Sequence, residues 1–200
     1  MTLDELRRRF GGAPRSETLY GDEGASPGRE DLTPASVLIP IVVRGEAGGA
    51  GLTVIFTQRA AHLKDHSGQV SFPGGRVAPG DPSPEATALR EAREEIGLDP
   101  ARVELLGRLA DYHTRTGFRI TPVVGVLTPP FELRADASEV DEIFEVPLAF
   151  LLDPANHQRQ SREWRGELRW FFAMNHGGRT IWGATAGMLV NLHRHLAPAG

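Results

Sequence analysis

The chain has 200 residues, of which 40% are hydrophobic and 24% are charged, and its formal net charge is -4. These values are typical of one globular domain with a buried core, not of a disordered or fibrous chain. The acidic balance argues against a nucleic-acid surface built on bulk positive charge. Cysteine is absent, which excludes disulfides and thiolate metal sites and leaves carboxylates and the seven histidines as metal ligands.

The N-terminal segment MTLDELRRRF is charged and amphipathic, with no apolar run behind it, so it does not resemble a secretory signal. No window approaches the roughly 18 apolar residues of a membrane span, and we expect a cytoplasmic protein. Residues 11–34 are rich in Gly, Pro, Ser and acidic residues, which predicts an irregular arm. We therefore divide the chain into an N-terminal helix and arm, residues 1–34, and a folded domain, residues 35–200. The oligomeric state stays open between a monomer and a homodimer in which the arm contacts the second subunit.

Most elements predicted after the arm are strands. Apolar, β-branched runs bounded by glycine-rich turns predict strands on both sides of one central helix. The predicted strands cover residues 36–44, 52–59, 69–72, 102–111, 119–128, 143–148, 168–174 and 179–183. Met188, Leu189, Leu192 and Leu196 recur at helical spacing and predict a terminal helix over residues 184–196. This pattern predicts an α/β fold in which a mixed β-sheet is sandwiched between α-helices.

The central helix has clear start and stop signals. Ser83 before Pro84 predicts the N-terminus, and Gly97 predicts the C-terminus. At about 100° per residue, one side of this helix is apolar. The apolar residues are Leu89, Ala92 and Ile96, and the opposite side carries three glutamates.

These glutamates are Glu91, Glu94 and Glu95, and like charges at this spacing destabilise a helix by a few tenths of a kcal/mol per pair. A solvated charged face is the ordinary interpretation of such a pattern. However, Gly74 and Gly75 lie directly upstream, where glycines let the backbone approach a ligand or cation closely. Hard divalent cations such as Mg²⁺ bind carboxylate oxygens together with substrate phosphates. The pattern therefore predicts a divalent-cation site.

The run REAREEIGL after the glycine pair resembles the Nudix box. The matching residues are Arg90, Glu91, Ala92, Glu94, Glu95, Gly97 and Leu98. The first half of the box departs from the usual form, because the segment between Gly75 and Arg90 is one residue longer. Pro82, next to Asp81, occupies the usual glutamate position. We assign no catalytic role to Asp81.

The preceding segment, FTQRAAHLKDHSGQVSFPGG, resembles the signature found before the Nudix box in coenzyme A diphosphatases. The terminal run IWGATAGML is similar to the last strand and helix of Nudix enzymes that act on coenzyme A or ADP-ribose. This resemblance implies a Nudix fold and metal-dependent hydrolysis of coenzyme A, a small-molecule substrate, to 3′,5′-ADP and 4′-phosphopantetheine. It also implies Mg²⁺ or Mn²⁺ as the cofactor. From the acidic charge balance and the lack of a long apolar run, we expect no nucleic-acid or membrane partner.

The resemblance implies roles for residues of the glutamate helix. By this resemblance, Glu91 and Glu95 are expected to be metal ligands, and Glu94 is expected to be a third ligand or a base. The carbonyl of Gly75 becomes a further ligand, and Arg90 orients the glutamates. The general base is expected to come from a later loop, where Glu139 is preferred to Glu142 because it lies within the loop itself.

Substrate contacts are expected from the segment before the helix. The candidates are Arg59, Lys64, His66, Gly74 and Gly75, with the three basic side chains facing the diphosphate or the 3′-phosphate. Arg115 and Arg119 have a weaker claim. Trp164 is available to stack on adenine, whereas Trp170 and Trp182 are expected to pack in the core.

Three alternatives differ in substrate or in function. The first is the same metal-dependent hydrolysis with a different substrate, such as ADP-ribose, NADH or a nucleoside triphosphate. A non-catalytic nucleotide-sensing module is the second, and the three repelling glutamates argue against it. Metal-dependent isomerisation of a diphosphate ester is the third, and it calls for a cysteine that this chain lacks.

Overall fold

The computed structural model describes residues 1–11, 32–45, 51–63, 68–164 and 166–197. The strands in these ranges are β1 Thr33–Val43, β2 Leu52–Arg59, β3 Val70–Ser71, β4 Gly74–Arg76, β5 Val103–Arg108, β6 Tyr112–His113, β7 Phe118–Leu127, β8 Val140–Pro147, β9 Gln158–Trp164, β10 Glu167–His176 and β11 Arg179–Trp182. The α-helices are α1 Leu3–Phe10, α2 Pro84–Ile96, α3 Leu148–Leu151 and α4 Gly183–Leu196. In this described part of the chain, every helix is too short or too polar to cross a membrane.

Strand β1 lies in the middle of the main sheet. It runs parallel to β7 over residues 33–42 and antiparallel to β2 and β4. On the outer sides, β8 and β3 pair with β2, while β5 and β6 pair with β7. The sheet is therefore mixed, as predicted. Strands β9, β10 and β11 form a second, antiparallel sheet.

The two faces of the main sheet bury separate hydrophobic clusters. On one face, α2 packs Ala88, Ala92 and Ile96 against sheet residues such as Ile55. On the other face, α1, α4 and the second sheet cover a larger cluster that includes Phe56. The main sheet is thus sandwiched between helices, which confirms the predicted fold class.

Helix α1, which the sequence places in a segment outside the folded domain, contributes to the larger cluster. Leu6 is fully buried in it. The rings of Phe10 and His195 lie 4.6 Å apart between centroids, and Arg7 forms an ion pair with Glu104 at 2.6 Å. Strand β1 begins at Thr33, two residues before the expected domain boundary.

Two tryptophans lie differently from the prediction. Trp170 and Trp182 are each 37% exposed, so the expectation that they pack in the core is wrong. Both lie in the second sheet, one on β10 and one at the end of β11. A sheet of three strands has too little neighbouring structure to cover large side chains on both faces, which leaves part of each indole in contact with solvent.

Candidate active site

The predicted bounds of helix α2 are confirmed. Ser83 adopts an extended conformation and its hydroxyl accepts a hydrogen bond from the Ala86 N–H at 3.3 Å. Pro84 occupies the first helical position, and Gly97 ends the helix with φ of 66°, a left-handed conformation that favours glycine. These caps fix the rotation of the helix, and therefore the direction in which each glutamate points.

Strand β4 brings the glycine pair against this helix. Gly74 and Gly75 pair with Val37 and Ser36 of β1. A Cβ atom at Gly75 would lie 2.5 Å from the carboxyl carbon of Glu91, which is closer than any side chain tolerates. The absence of a Cβ at position 75 therefore lets the Glu91 carboxylate lie directly against the backbone, and a larger residue would displace that side chain.

Glu95 is buried beside the same strand. It is 5% exposed, and one of its carboxylate oxygens accepts a hydrogen bond from the Gly74 N–H at 3.3 Å. Burial raises the pKa of Glu95 to about 8, and the nearby charges of Glu139 and Glu91 act in the same direction. The hydrogen bond from the Gly74 N–H and, to a smaller extent, the Arg59 charge act against them without cancelling the effect of burial.

The three glutamates of α2 do not share one environment. Burial raises the pKa of Glu91, whose side chain is 17% exposed, whereas the Glu94 side chain is 58% exposed. The prediction that all three lie on a side opposite the core is therefore wrong for Glu95. It fails because β4 and the loop around Glu139 cover the part of the helix that helical spacing alone leaves open to solvent.

Arg90 connects the glutamates to the loop before the helix. Its Nη1 donates to Glu91 at 2.8 Å and to Glu94 at 3.0 Å. Its Nε and Nη2 donate to the two carboxylate oxygens of Asp81 at 3.1 and 2.9 Å, and Nη2 also donates to the Arg76 carbonyl at 3.1 Å. This bidentate pair holds the guanidinium plane in one orientation, so Arg90 contacts the glutamates as the sequence predicts.

Asp81 is the residue whose role the sequence did not reveal. Besides Arg90, its carboxylate accepts hydrogen bonds from the Ala78 N–H and the Thr87 hydroxyl, each at 2.9 Å. The Arg90 guanidinium, followed by the Ala78 N–H, holds the pKa of Asp81 well below its usual range. A carboxylate shortly before the helix cap, together with an arginine inside the helix, is the sequence signal for this clamp. This contact was not predicted, because it forms only when the loop, which is one residue longer than usual, folds back onto the helix.

The two candidates for a general base lie on different sides of the sheet. Glu139 lies in the turn directly before β8, and its charge acts on both Glu91 and Glu95. Glu142 shares the sheet face of Phe144, which packs on the larger cluster and not on α2. Glu142 also forms an ion pair with Arg179. The structure therefore places Glu139, and not Glu142, next to the buried glutamates.

Arg59, at the end of β2, lies on the face that α2 covers. It lies four residues after Ile55, which packs against this helix, and therefore on the same face of the strand. Its charge acts on Glu95. Its buried Nε has no hydrogen-bond partner in the described part of the chain, which leaves this donor available to an anionic ligand. Lys64 and His66 lie outside the described residues.

Of the two weaker arginine candidates, Arg115 lies in the turn between β6 and β7 and Arg119 is the second residue of β7. Arg115 pairs with Glu167 at 3.0 Å, and Arg119 lies 3.8 Å from Asp111. Both arginines thus lie against carboxylates other than the α2 glutamates, and a direct role for them in the site stays a prediction.

The residues around Gly75 suit a hard divalent cation. Glu91 and Glu95 supply carboxylate oxygens, and Gly75 leaves space for the Glu91 carboxylate at the backbone. Burial of two carboxylates in one place is costly unless a positive charge accompanies them. No cluster of three acidic or histidine side chains with metal-binding geometry is assembled among the described residues. Water and substrate phosphates would have to complete the coordination.

Comparison with known proteins shows the family and agrees with this fold. Residues 33–171 match the family model described as the NUDIX domain. An uncharacterized Nudix hydrolase, NudL, from Escherichia coli K12 is 41% identical over 163 residues, covering 79% of this chain and 80% of its own length. The NudL protein of Shigella boydii serotype 18 matches with the same identity and coverage. A solved structure, the Nudix hydrolase RenU from M. smegmatis, has a TM-score of 0.54 at 17% identity, covering 82% of this chain and 84% of that one.

The mixed sheet between helices, with buried glutamates beside a glycine pair, defines a protein of the α/β class with a candidate metal-dependent active site. The family match and the 41% identity show more: this chain belongs to the Nudix family and is a Nudix hydrolase. Nudix hydrolases act on small molecules and generally use divalent metal ions such as Mg²⁺ or Mn²⁺.

Proposed function

We propose that this Nudix hydrolase cleaves the diphosphate bond of coenzyme A or its derivatives, giving 3′,5′-ADP and 4′-phosphopantetheine. The observation that supports hydrolysis is the placement of Glu91 and Glu95 beside Gly75, with Glu139 next to both. Support for coenzyme A comes from the segment between Thr57 and Gly75, which resembles the signature of coenzyme A diphosphatases.

The substrate places two negative charges where the bond breaks, so an attacking water is repelled unless those charges are neutralised. Mg²⁺ or Mn²⁺, when bound, supplies this neutralisation and favours ionisation of water. In the proposed site Glu91 and Glu95 hold the metal through their carboxylates, with the Gly75 carbonyl as a further ligand. Glu94 is exposed and lies against Arg90, so we assign it a supporting role as a third ligand.

We assign orientation of the metal ligands, proton transfer and phosphate binding to other side chains of this chain. Arg90, clamped by Asp81, orients Glu91 and Glu94. Glu139 accepts the proton of the attacking water as its oxygen bonds to one phosphorus. The bond from that phosphorus to the bridging oxygen then breaks, and the other phosphate leaves with the bridging oxygen. The buried Nε of Arg59 donates to a phosphate oxygen of the substrate, and Lys64, His66, Gly74 and Gly75 are the other proposed substrate contacts.

The direct test is incubation of the purified protein with coenzyme A and either Mg²⁺ or Mn²⁺, followed by mass analysis. We expect 3′,5′-ADP and 4′-phosphopantetheine in equal amounts. ADP-ribose and NADH, tested at the same concentrations, identify the preferred substrate. A kcat/KM for ADP-ribose or NADH far above that for coenzyme A would overturn the substrate assignment while leaving the metal site intact.

The metal site is tested by Glu91→Gln. We expect loss of turnover by more than about 100-fold with no loss of folded structure, since glutamine keeps the shape and removes the charge. Glu132→Gln is the matched control, because Glu132 is an exposed glutamate outside the site. Full activity in Glu91→Gln would refute the assignment, and metal-dependent binding of nucleotides without turnover in the unaltered protein would favour a sensing module.

A further inference from the structure

Strand β9 forms one edge of the second sheet, which has the strand order β11, β10, β9. Its pairing with β10 runs without a break from residue 158 to residue 164, and residues 158–163 are all exposed. An edge strand presents a row of N–H and C=O groups to any further strand. Because β9 contains no proline and no bulge bends it away from β10, it can accept another strand over its whole length.

Apolar side chains lie beside this edge on one face of the sheet. Leu168 and Trp170 of β10 are 60% and 37% exposed, and they lie opposite Glu163 and Ser161 of β9. Met174, on the same face further along β10, is fully buried in the larger cluster. The apolar row therefore leaves the core and continues into solvent next to the edge strand. Apolar side chains grouped in this way are typical of an interaction surface.

The charges of β9 are complementary to those of a second copy of the same strand. When two identical strands pair antiparallel about a twofold axis, residue i faces residue j and residue j faces residue i. An axis at Ser161 aligns the whole of β9 with the whole of its copy. Arg159 then faces Glu163 of the second copy, and Glu163 faces Arg159 of the second copy. The remaining charged residue, Arg162, faces the neutral Gln160.

Other positions of the axis give poorer pairings. The axis has to pass through a residue, because side chains alternate and those that face each other must lie on the same face of the sheet. An axis at Arg162 places two like charges directly opposite each other, which is destabilising. An axis at Gln160 pairs only residues 158–162 and leaves Glu163 beyond the paired region. Within one chain Arg159 and Glu163 are about 13 Å apart along the strand, too far to pair with each other.

We infer that β9 pairs antiparallel with β9 of a second copy about a twofold axis at Ser161, which gives a homodimer with one continuous six-stranded sheet. Arg159 lies over the Trp170 ring at 4.7 Å, and a guanidinium can stack on an aromatic ring while its N–H groups donate to a carboxylate. Ser161 carries the smallest side chain of β9, which leaves space at the axis for Trp170 of both copies. The inference is independent of the substrate that the protein cleaves.

The first test reverses charges on the edge strand. Light scattering on the unaltered protein at micromolar concentrations should give twice the 21.8 kDa of one chain. Glu163→Arg places an arginine opposite Arg159 of the second copy, so sedimentation equilibrium should show the dimer dissociation constant raised at least about tenfold. Combining it with Arg159→Glu should restore the dimer. Arg162→Glu is the matched control, because that side chain faces Gln160 and should leave the dissociation constant unchanged.

A monomeric mass for the unaltered protein would overturn the inference. So would a dimer that Glu163→Arg does not weaken, or an equal loss of the dimer in Glu163→Arg and Arg162→Glu. A dimer that persists through both changes would be formed by another surface, such as residues 1–34, and the pairing of β9 would be refuted.

The second test locates the twofold axis. The chain contains no cysteine, so a disulfide formed by Ser161→Cys has to join two copies. Directly opposed residues of antiparallel strands have Cα atoms about 4.5–5.5 Å apart, which a disulfide spans. Gln160→Cys is the matched control, because in the proposed pairing its two copies are about 8 Å apart and cannot be bridged.

After mild air oxidation, a non-reducing gel should show most of the Ser161→Cys protein as a covalent dimer and little of the Gln160→Cys protein. Equal cross-linking of the two variants, or none in Ser161→Cys, would overturn the inference. Neither test uses coenzyme A, so a negative result here leaves the proposed function unaffected, and failure to hydrolyse coenzyme A leaves the pairing of β9 unaffected.

Discussion

The two ends of helix α2 hold their carboxylates in opposite ways. At the N-terminal end, Asp81 and Glu85 each meet an arginine, which lowers the pKa of Asp81 below its usual range and that of Glu85 to about 2. Further along, burial raises the pKa of Glu91 and raises that of Glu95 to about 8. The first pair stabilises the folded chain by itself, whereas the second pair is costly to bury, and the proposed cation would offset that cost. A protein tolerates that cost where the site has a function.

Arg90 lies between these two regions and serves both. Its Nε and Nη2 contact Asp81, and its Nη1 contacts Glu91 and Glu94. The loop before the helix therefore sets the orientation of the side chain that positions the glutamates. We expect substitutions at the N-terminal end to cost stability first, and substitutions at the glutamates to cost activity first.

The largest effect is expected from Glu95→Gln. Removing the buried charge should lower kcat/KM by more than about 100-fold, because a proposed metal ligand is lost. The melting temperature without metal should not fall, because glutamine keeps the hydrogen bond from the Gly74 N–H and carries no charge to bury.

A thermal-shift titration with Mn²⁺ gives a readout of this variant that does not depend on activity. The unaltered protein should be stabilised by Mn²⁺, and Glu95→Gln should not be. An equal rise in melting temperature for both proteins would mean that Mn²⁺ does not bind at Glu95. The proposed difference in function between the two ends of α2 would then be refuted.

Gly75→Ala should have the second largest effect. The added Cβ lies within 2.5 Å of the Glu91 carboxylate, so that group has to move, and displacement by about 1 Å at a reacting centre costs roughly 100-fold in rate. Gly80→Ala is the control, because a Cβ at Gly80 meets nothing within 4 Å. If steady-state kinetics show the same kcat/KM for both alanine variants, the close contact between Gly75 and Glu91 has no part in catalysis.

Asp81→Asn tests the connection between the two ends. The asparagine keeps the shape but weakens the bidentate contact with Arg90, and loss of an orienting partner typically costs about 10-fold to 100-fold in activity or metal affinity. We expect kcat to fall about tenfold with KM nearly unchanged, together with a lower melting temperature. Asp153→Asn, at the start of a short 3-10 turn on another part of the surface, is the control. A change in KM alone would show that Asp81 acts on substrate binding instead of on Arg90.

Most of the fold could be predicted from the sequence because its strands are apolar runs and α2 carries strong caps. Strand β9 escaped prediction since residues 158–163 are polar and exposed, and only pairing with β10 makes this segment a strand. Strands β4 and β6 escaped because they contain three and two residues. The parallel pairing of β1 with β7 joins residues about 85 positions apart, and local patterns carry no information on it.

Prediction of the site had a similar limit. Helical spacing identified the side of α2 that carries Glu91 and Glu95, but it did not reveal that β4 and the Glu139 loop bury Glu95. It also did not reveal the Asp81 contact with Arg90, which depends on how the loop folds back. Contacts made by the helix itself were predictable, whereas contacts contributed by other segments required the structure.

The smallest effect is expected from Glu85→Gln, which changes only the N-terminal end. Arg108 of β5 donates two hydrogen bonds to the Glu85 carboxylate, one of them at 2.6 Å. This ion pair is the main cause of the lowered pKa, about 2 against an ordinary value of 4.5. Because the Arg108 side chain is 46% exposed, solvent screens the pair, and we expect a loss of about 1 kcal/mol in the free energy of unfolding, with kcat unchanged.

The pH dependence of this loss distinguishes the ion pair from a packing effect. A lowered carboxylate pKa gives stability that is fully present above about pH 4.5 and is lost as the pH falls toward about 2. The difference in unfolding free energy between the unaltered protein and Glu85→Gln should therefore be constant from pH 8 to pH 5 and shrink between pH 4.5 and pH 3. Urea unfolding at each pH measures it. A difference that stays constant down to pH 3 would mean that Glu85 stabilises the helix by shape and not by charge, and the contrast between the two ends of α2 would then depend on Asp81 alone.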